Sequence, residues 1–172
     1  MSENAPHPLI ELARQSIISK IQGMEFVVPP NLDSEFETPS GVFVTLKKAG
    51  RLRGCIGSLT PKTGTLAREV AHNARLAAFK DPRFDSVSRE ELDQLSIQIE
   101  VVTPPVPVEN PGKLDPAVDG LVVKCGKKQG VLLPGLEGVN TVDQQIAICR
   151  EKANIGKNEP VRYSTFRVRH IT

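Results

Sequence analysis

The 172-residue sequence has no tryptophan and one tyrosine, and aromatic residues fill only 4% of its positions. An extended platform for stacking single-stranded bases needs several aromatic faces, so that class of binder is disfavoured. The three cysteines, Cys55, Cys125 and Cys149, stand far apart and form no Cys-x-x-Cys unit. This argues against a disulfide framework and a zinc ribbon and fits reduced thiols in the cytoplasm. His7, His72 and His170 are isolated, and no His or Cys pair has ligand spacing, so no metal and no cofactor is assigned. No apolar run approaches the roughly 18 residues of a membrane helix, and Met1 to Pro8 lacks the basic start and apolar middle of a signal peptide. A net charge of +2 is too near neutral to mark a nucleic-acid binder. Repeats and low-complexity tracts are absent as well.

What is present is an ordinary globular composition, 39% hydrophobic and 24% charged, in a chain long enough to bury about 70% of its unfolded surface. It is read as one domain over residues 1–172, with room for a small subdomain inserted or appended. Fourteen prolines punctuate it. Leu9, Leu12, Ala13, Ile17 and Ile21 recur at helical spacing, which predicts a helix from Pro8 to Gln22 ended by Gly23. Pro29 to Ser40 reads as a linking loop. Gly41 to Gly57 reads as a β-hairpin with a basic turn; Val42, Val44 and Leu46 share one face of its first strand, and Arg53 and Cys55 share one face of its second. Gly54 and Gly57 bracket Cys55, and glycine within a strand marks a bulge or a close approach.

An alanine-rich stripe from Leu66 to Ala78 predicts a helix over Thr65 to Lys80, closely packed on the sheet, with Arg68, His72, Arg75 and Phe79 on its other side. Asp81-Pro-Arg-Phe84 stops it. Ser88 and Glu91 form a capping-box signature for a short helix over Arg89 to Asp93. Leu95 to Val102 alternates as a half-solvated strand with Ser96, Gln98 and Glu100 outward. Beyond a proline-rich crossing, Gly120–Cys125 and Gly130–Leu133 are strands joined by a basic tip, Gly126-Lys-Lys-Gln. Thr141 and Gln144 cap a further helix lined by Val142, Ile146 and Cys149 and stopped at Gly156, and Val161 to Ile171 is a closing strand. Helices mixed with antiparallel strands give an α+β fold.

Cys55 is the candidate nucleophile, because Arg53 beside it and Arg51, Lys47 and Lys48 in the turn are cations able to lower a thiol pKa. The sequence locates no base for it, and a small buried hydrophobe explains a strand cysteine more simply. Gly54-Cys-Ile-Gly57 formally matches the Gly-x-x-Gly clamp of KH domains, and Arg51, Arg53, Lys124, Lys127, Lys128, Arg162, Arg167 and Arg169 would form a basic face if the hairpins converge. That clamp, however, joins two helices, whereas these residues end a strand.

From Leu9 to the C-terminus the chain resembles the AMMECR domain, named for the AMME chromosomal-region syndrome gene. The resemblance rests on Gly41-Val-Phe-Val-Thr-Leu46 with Leu52-Arg-Gly-Cys-Ile-Gly57, supported by Ala78-Phe-Lys-Asp-Pro-Arg-Phe84, Ser88-Arg-Glu-Glu-Leu92, Gly130-Val-Leu-Leu-Pro134 and Arg162-Tyr163. Asp119 departs from the histidine many relatives carry there. The resemblance implies an antiparallel sheet flanked by helices in a larger and a smaller subdomain, and partners of the Memo-like and radical S-adenosylmethionine kinds; it implies no settled activity. This chain lacks a three-cysteine cluster for an iron–sulfur cofactor. The expectation is a cytoplasmic accessory or binding protein that docks a protein partner, a small molecule or RNA, and no membrane, at Arg53, Gly54, Cys55, Gly57, Asp81 and Arg83. A cysteine-dependent enzyme using Cys55 and an RNA-associated protein are the alternatives.

Overall fold

The computed structural model describes residues 5–172, so the Met1–Asn4 part of the leader reading lies outside the described residues. The chain forms two compact units, a larger one of the residues up to Val102 with Arg169–Thr172 and a smaller one, Thr103–Val168. The fold is α+β, with antiparallel pairing in the hairpin of residues 41–58, between its first strand and residues 95–102, and through the sheet of the smaller unit.

In the larger unit α1 (Pro8–Ile21) starts on a proline, with the His7 ring accepting a hydrogen bond from the Leu9 amide; proline fits the first turn because its missing N–H has no helical partner there. Next come α2 (Pro30–Glu35), β1 (Gly41–Lys48), β2 (Arg51–Ser58), α3 (Leu66–Phe79) and β3 (Leu95–Val102). The sheet order is β2-β1-β3-β8, its last strand being Val168–Ile171. Val42, Val44 and Leu46 of β1 and Ile97 and Ile99 of β3 pack with the buried stripes of α1 and α3 in one core.

α3 lies hard against the hairpin. A Cβ on Gly54 would stand 2.2 Å from the Ala77 carbonyl oxygen, so the alanine stripe and the strand glycine together permit the approach. Glu69, fully buried on this helix, accepts from the Lys62 and Thr63 amides and the Thr63 hydroxyl, and so fixes the loop between β2 and α3.

The smaller unit holds β4 (Val106–Val108), β5 (Gly120–Cys125), β6 (Lys128–Leu132), α4 (Val142–Lys152) and β7 (Arg162–Phe166), with sheet order β4-β7-β5-β6. Leu121, Val123, Leu132, Cys149 and Ile155 form its core. Thr141 and Gln144 make the capping box at the start of α4.

Several expectations are corrected. Pro29 to Ser40 is not a plain linker: it contains α2, whose Asp33 binds Thr65 and Arg68. The proline-rich crossing includes β4, which pairs with β7, and an edge is where proline's missing N–H is tolerated. Lys128 and Gln129 belong to β6 rather than to the hairpin tip. α4 ends at Lys152, before Gly156, and Asn154 takes the left-handed conformation with φ 52°. The short helix after Ser88 is a 3-10 helix reaching Gln94. The segment from Val161 to Ile171 is two strands, β7 and β8, in different sheets. Glu100, expected outward on a solvated face, is buried.

Candidate functional site

The hairpin is irregular where the chemistry lies. Leu46 pairs with Gly54 and Lys47 with Leu52, leaving Arg53 as an extra residue on β2. A bulge of this kind re-aims a side chain. The Arg53 guanidinium is turned to Glu91, with Nε to Oε1 and Nη2 to Oε2 both at 3.0 Å, and to the Asp85 carbonyl at 2.9 Å. Glu91 also receives Lys48 Nζ at 3.1 Å and the Ser88 amide at 3.0 Å. Arg53, with the Ser88 amide and Lys48 behind it, holds the Glu91 carboxyl down to about 2. One carboxylate therefore both caps a helix and anchors the bulge.

Cys55 is half-buried and pairs with Thr45, whose hydroxyl donates to Sγ at 3.2 Å. Burial pushes its thiol above the ordinary range, and the charges of Glu100 and Asp81 push the same way; the Thr45 hydrogen bond and Arg83 act in the opposite direction without prevailing. The cation expected to activate it, Arg53, is engaged elsewhere. Arg83 approaches instead, Nη2 lying 3.4 Å from the Cys55 carbonyl.

Asp81 ties these parts together. Its carboxylate is nearly inaccessible, with a side-chain exposure of 2%, whereas the Arg83 side chain is 55% exposed. Oδ2 accepts from the Cys55 amide at 2.9 Å and from Arg83 Nη2 at 2.8 Å, while Oδ1 accepts from Arg83 Nε at 3.0 Å and the Arg83 amide at 3.1 Å. Arg83 first, then the Cys55 and Arg83 amides, hold Asp81 far below the usual carboxylate range against the cost of burying it. Two guanidiniums stand over the Phe84 ring, that of Arg53 at 5.9 Å and that of Arg83 at 5.5 Å from its centroid, within cation–π range.

Gly54 and Gly57 serve opposite sheet faces. Gly54 meets α3, whereas a Cβ on Gly57 would lie 2.5 Å from Cγ of Phe43, so the Phe43 ring covers Gly57 on the face that carries Cys55. Glu100 is the register partner of Phe43 on that face. It is 9% exposed, Oε2 has no hydrogen-bond partner among the described residues, and burial raises its carboxyl. His170 Nδ1 stands 3.8 Å from Oε1, beyond a normal hydrogen bond.

The sequence reading missed Glu91, Phe84 and Glu100. The capping-box spacing located Glu91 without revealing its second task, and alternation placed Glu100 on the correct face with the wrong environment. Asp119 accepts from Arg167 Nε at 3.1 Å and the Asp115 amide at 2.9 Å, a bracing role within the smaller unit. The eight basic residues proposed as one face are divided: Arg51, Arg53 and Arg169 belong to the larger unit, the other five to the smaller. Gly54 to Gly57 lies within β2 and joins no helices. Among the described residues no three His, Cys, Asp or Glu side chains gather as metal ligands, and no helix is long and apolar enough to cross a membrane.

Residues 10–171 match the family model described as AMMECR1. The chain belongs to the AMMECR1 family. A Thermotoga maritima member is 40% identical over 152 residues, 87% of each chain. A Clostridium acetobutylicum member is 40% identical over 164 residues, which are 94% of this chain and 35% of that protein, so the chain spans about a third of that relative's length. The crystal structure of an uncharacterised Pyrococcus horikoshii protein superposes with a TM-score of 0.84 at 31% identity, covering 94% of this chain and 88% of that one. The Pyrococcus protein shares the fold of this chain, and the names of these relatives assign no reaction.

Proposed function

We propose that this AMMECR1-family chain is a cytoplasmic accessory protein of a modification system, and that its ligand or partner docks on the hairpin where Arg83 and Cys55 are presented, with Asp81 holding Arg83 in place, Arg53 bracing the bulge through Glu91, and Gly54 and Gly57 serving as packed framework around Cys55. The observation that carries this reading is Arg83: a guanidinium fixed at two nitrogens by an almost inaccessible carboxylate, yet more than half exposed. A donor held in place before binding loses little freedom when an anion or carbonyl meets it. The adjacent thiol adds a neutral, half-buried surface. The Clostridium relative supports an accessory role, since there the matching region is one part of a much longer chain. Memo-like and radical S-adenosylmethionine proteins are the partner classes that the family resemblance implies.

The enzyme alternative, with Cys55 as nucleophile, is weakened by the direction of its thiol pKa, since the thiolate is the reactive form. The test is capture from the native host with the full chain and with Arg83→Ala and Cys55→Ser, followed by mass spectrometry of bound proteins and small molecules. The proposal expects a species retained by the wild type, depleted by Arg83→Ala, and able to slow alkylation of Cys55. Identical retention by all three chains, with Cys55 labelling unaffected, refutes docking at this site.

A further inference from the structure

The smaller unit carries an unresolved electrostatic conflict. Lys124 of β5 and Arg162 of β7 are register partners, so their side chains leave the same face of the sheet side by side. Like charges directly opposite in an antiparallel pair are destabilising. Among the described residues neither has a carboxylate within the 4.0 Å of an ion pair. Two acids are near them in the fold: Glu109, one residue past the Val108–Tyr163 pair, forms no ion pair with Arg162, and Glu159 is already held by Lys128 Nζ at 3.2 Å and by the Gly156 amide.

The two cations also line one open depression of about 580 Å³, together with Cys125, Gly126, Pro160 and Val161. Gly126 turns there with φ +56°, and Lys127 extends the positive tip of the hairpin. Two exposed positive charges side by side at a concavity, neither of them ion-paired among the described residues, match a compact dianion better than a single carboxylate. The guanidinium supplies a planar fork of donors and the ammonium a point charge.

We infer that the depression between Lys124 and Arg162 is a binding site for the phosphate group of a small molecule. The site is separate from the hairpin of the larger unit and does not rest on the function proposed there. The compensating charge comes with the ligand, so the unliganded protein bears a repulsion that binding relieves.

The experiment uses the full chain, labelled with 15N, titrated at fixed ionic strength with pyrophosphate and, separately, with a twelve-nucleotide oligouridylate. Lys124→Gln and Arg162→Gln are compared with Lys20→Gln, an exposed position on α1 that carries the same change of charge. Pyrophosphate should shift the Cys125, Gly126 and Val161 amides saturably, about tenfold more weakly in each site variant and unchanged in Lys20→Gln. Without ligand, the site variants should melt at or above the wild-type temperature, because each removes the repulsion, and that result separates lost binding from lost folding. Pyrophosphate should raise the melting temperature of the wild type and Lys20→Gln only. Shifts that follow sodium chloride equally, or site variants that bind as the wild type does, overturn the inference. Saturable binding of oligouridylate without saturable binding of pyrophosphate also overturns it and gives the surface to nucleic acid.

Discussion

Replacing Glu91 with alanine removes one carboxylate that does three things: it accepts from the Ser88 amide, holds Arg53 at two nitrogens, and receives Lys48. Loss of the cap costs about 1 kcal/mol. The bidentate contact contributes about 1.5–3 kcal/mol, since Arg53 is only 15% exposed and is left with the Asp85 carbonyl alone. Lys48, 37% exposed, adds about 0–1 kcal/mol. A total of about 2.5–5 kcal/mol at pH 7 is expected from urea denaturation followed by circular dichroism, with hydrogen exchange at the Cys55 amide locating the loss in the larger unit.

The pH dependence gives the reasoning a second check. Glu91 is lowered in the folded protein from an ordinary 4.5 to about 2. Its contribution is therefore complete above about pH 4.5 and is lost as the pH falls through about 2. Linkage at about 1.36 kcal/mol per pKa unit, reduced for solvent on the outer side of the pair, makes the gap between wild type and variant narrow by about 2 kcal/mol over that window. A gap under about 0.5 kcal/mol at pH 7, or one that stays constant down to pH 2, would refute the assignment of Glu91 as the anchor.

Gly54→Ala should destabilise the larger unit by about 3 kcal/mol or more, because its Cβ would collide with the Ala77 carbonyl at 2.2 Å; a melting temperature within 2 °C of wild type (about 1 kcal/mol or less) counts against the close approach. Glu69→Ala removes a fully buried carboxylate that holds three part-buried donors of the loop before α3, costing about 1–3 kcal/mol, and faster proteolysis around Lys62 should accompany the loss. Iodoacetamide should label native Cys55 more slowly than an unfolded-chain cysteine at pH 7, with the rate still rising above pH 9, since burial raises the thiol; a rate that levels off below pH 8 restores the activated-thiolate reading.

Much of the larger unit was readable because its signals are local. The Leu9 to Ile21 periodicity, the Leu66 to Ala78 stripe and the Ser88/Glu91 spacing each depend on residues within a few turns of one another. The alternation in Leu95 to Val102 predicted β3 but not the burial of Glu100, since alternation assigns a face and leaves the cover of that face unspecified. The closing strand divided at Arg167 because Thr103 meets it, its amide and hydroxyl bonding the Arg167 backbone from 64 positions away.

The candidate site shows the same division. Sequence alone determined that Gly54 and Gly57 would bracket Cys55 in a strand and that Asp81-Pro-Arg would end α3, because turn chemistry and side-chain period act over short range. Tertiary structure decided where the charges went. A single bulged residue, set by pairing β2 with β1, sent Arg53 to Glu91. The end of α3 brought Asp81 beneath Cys55 and Arg83 over it. A guanidinium or carboxylate takes whichever opposite charge the packed backbone brings within about 3 Å, and that distance exists only once the sheet and helix have docked.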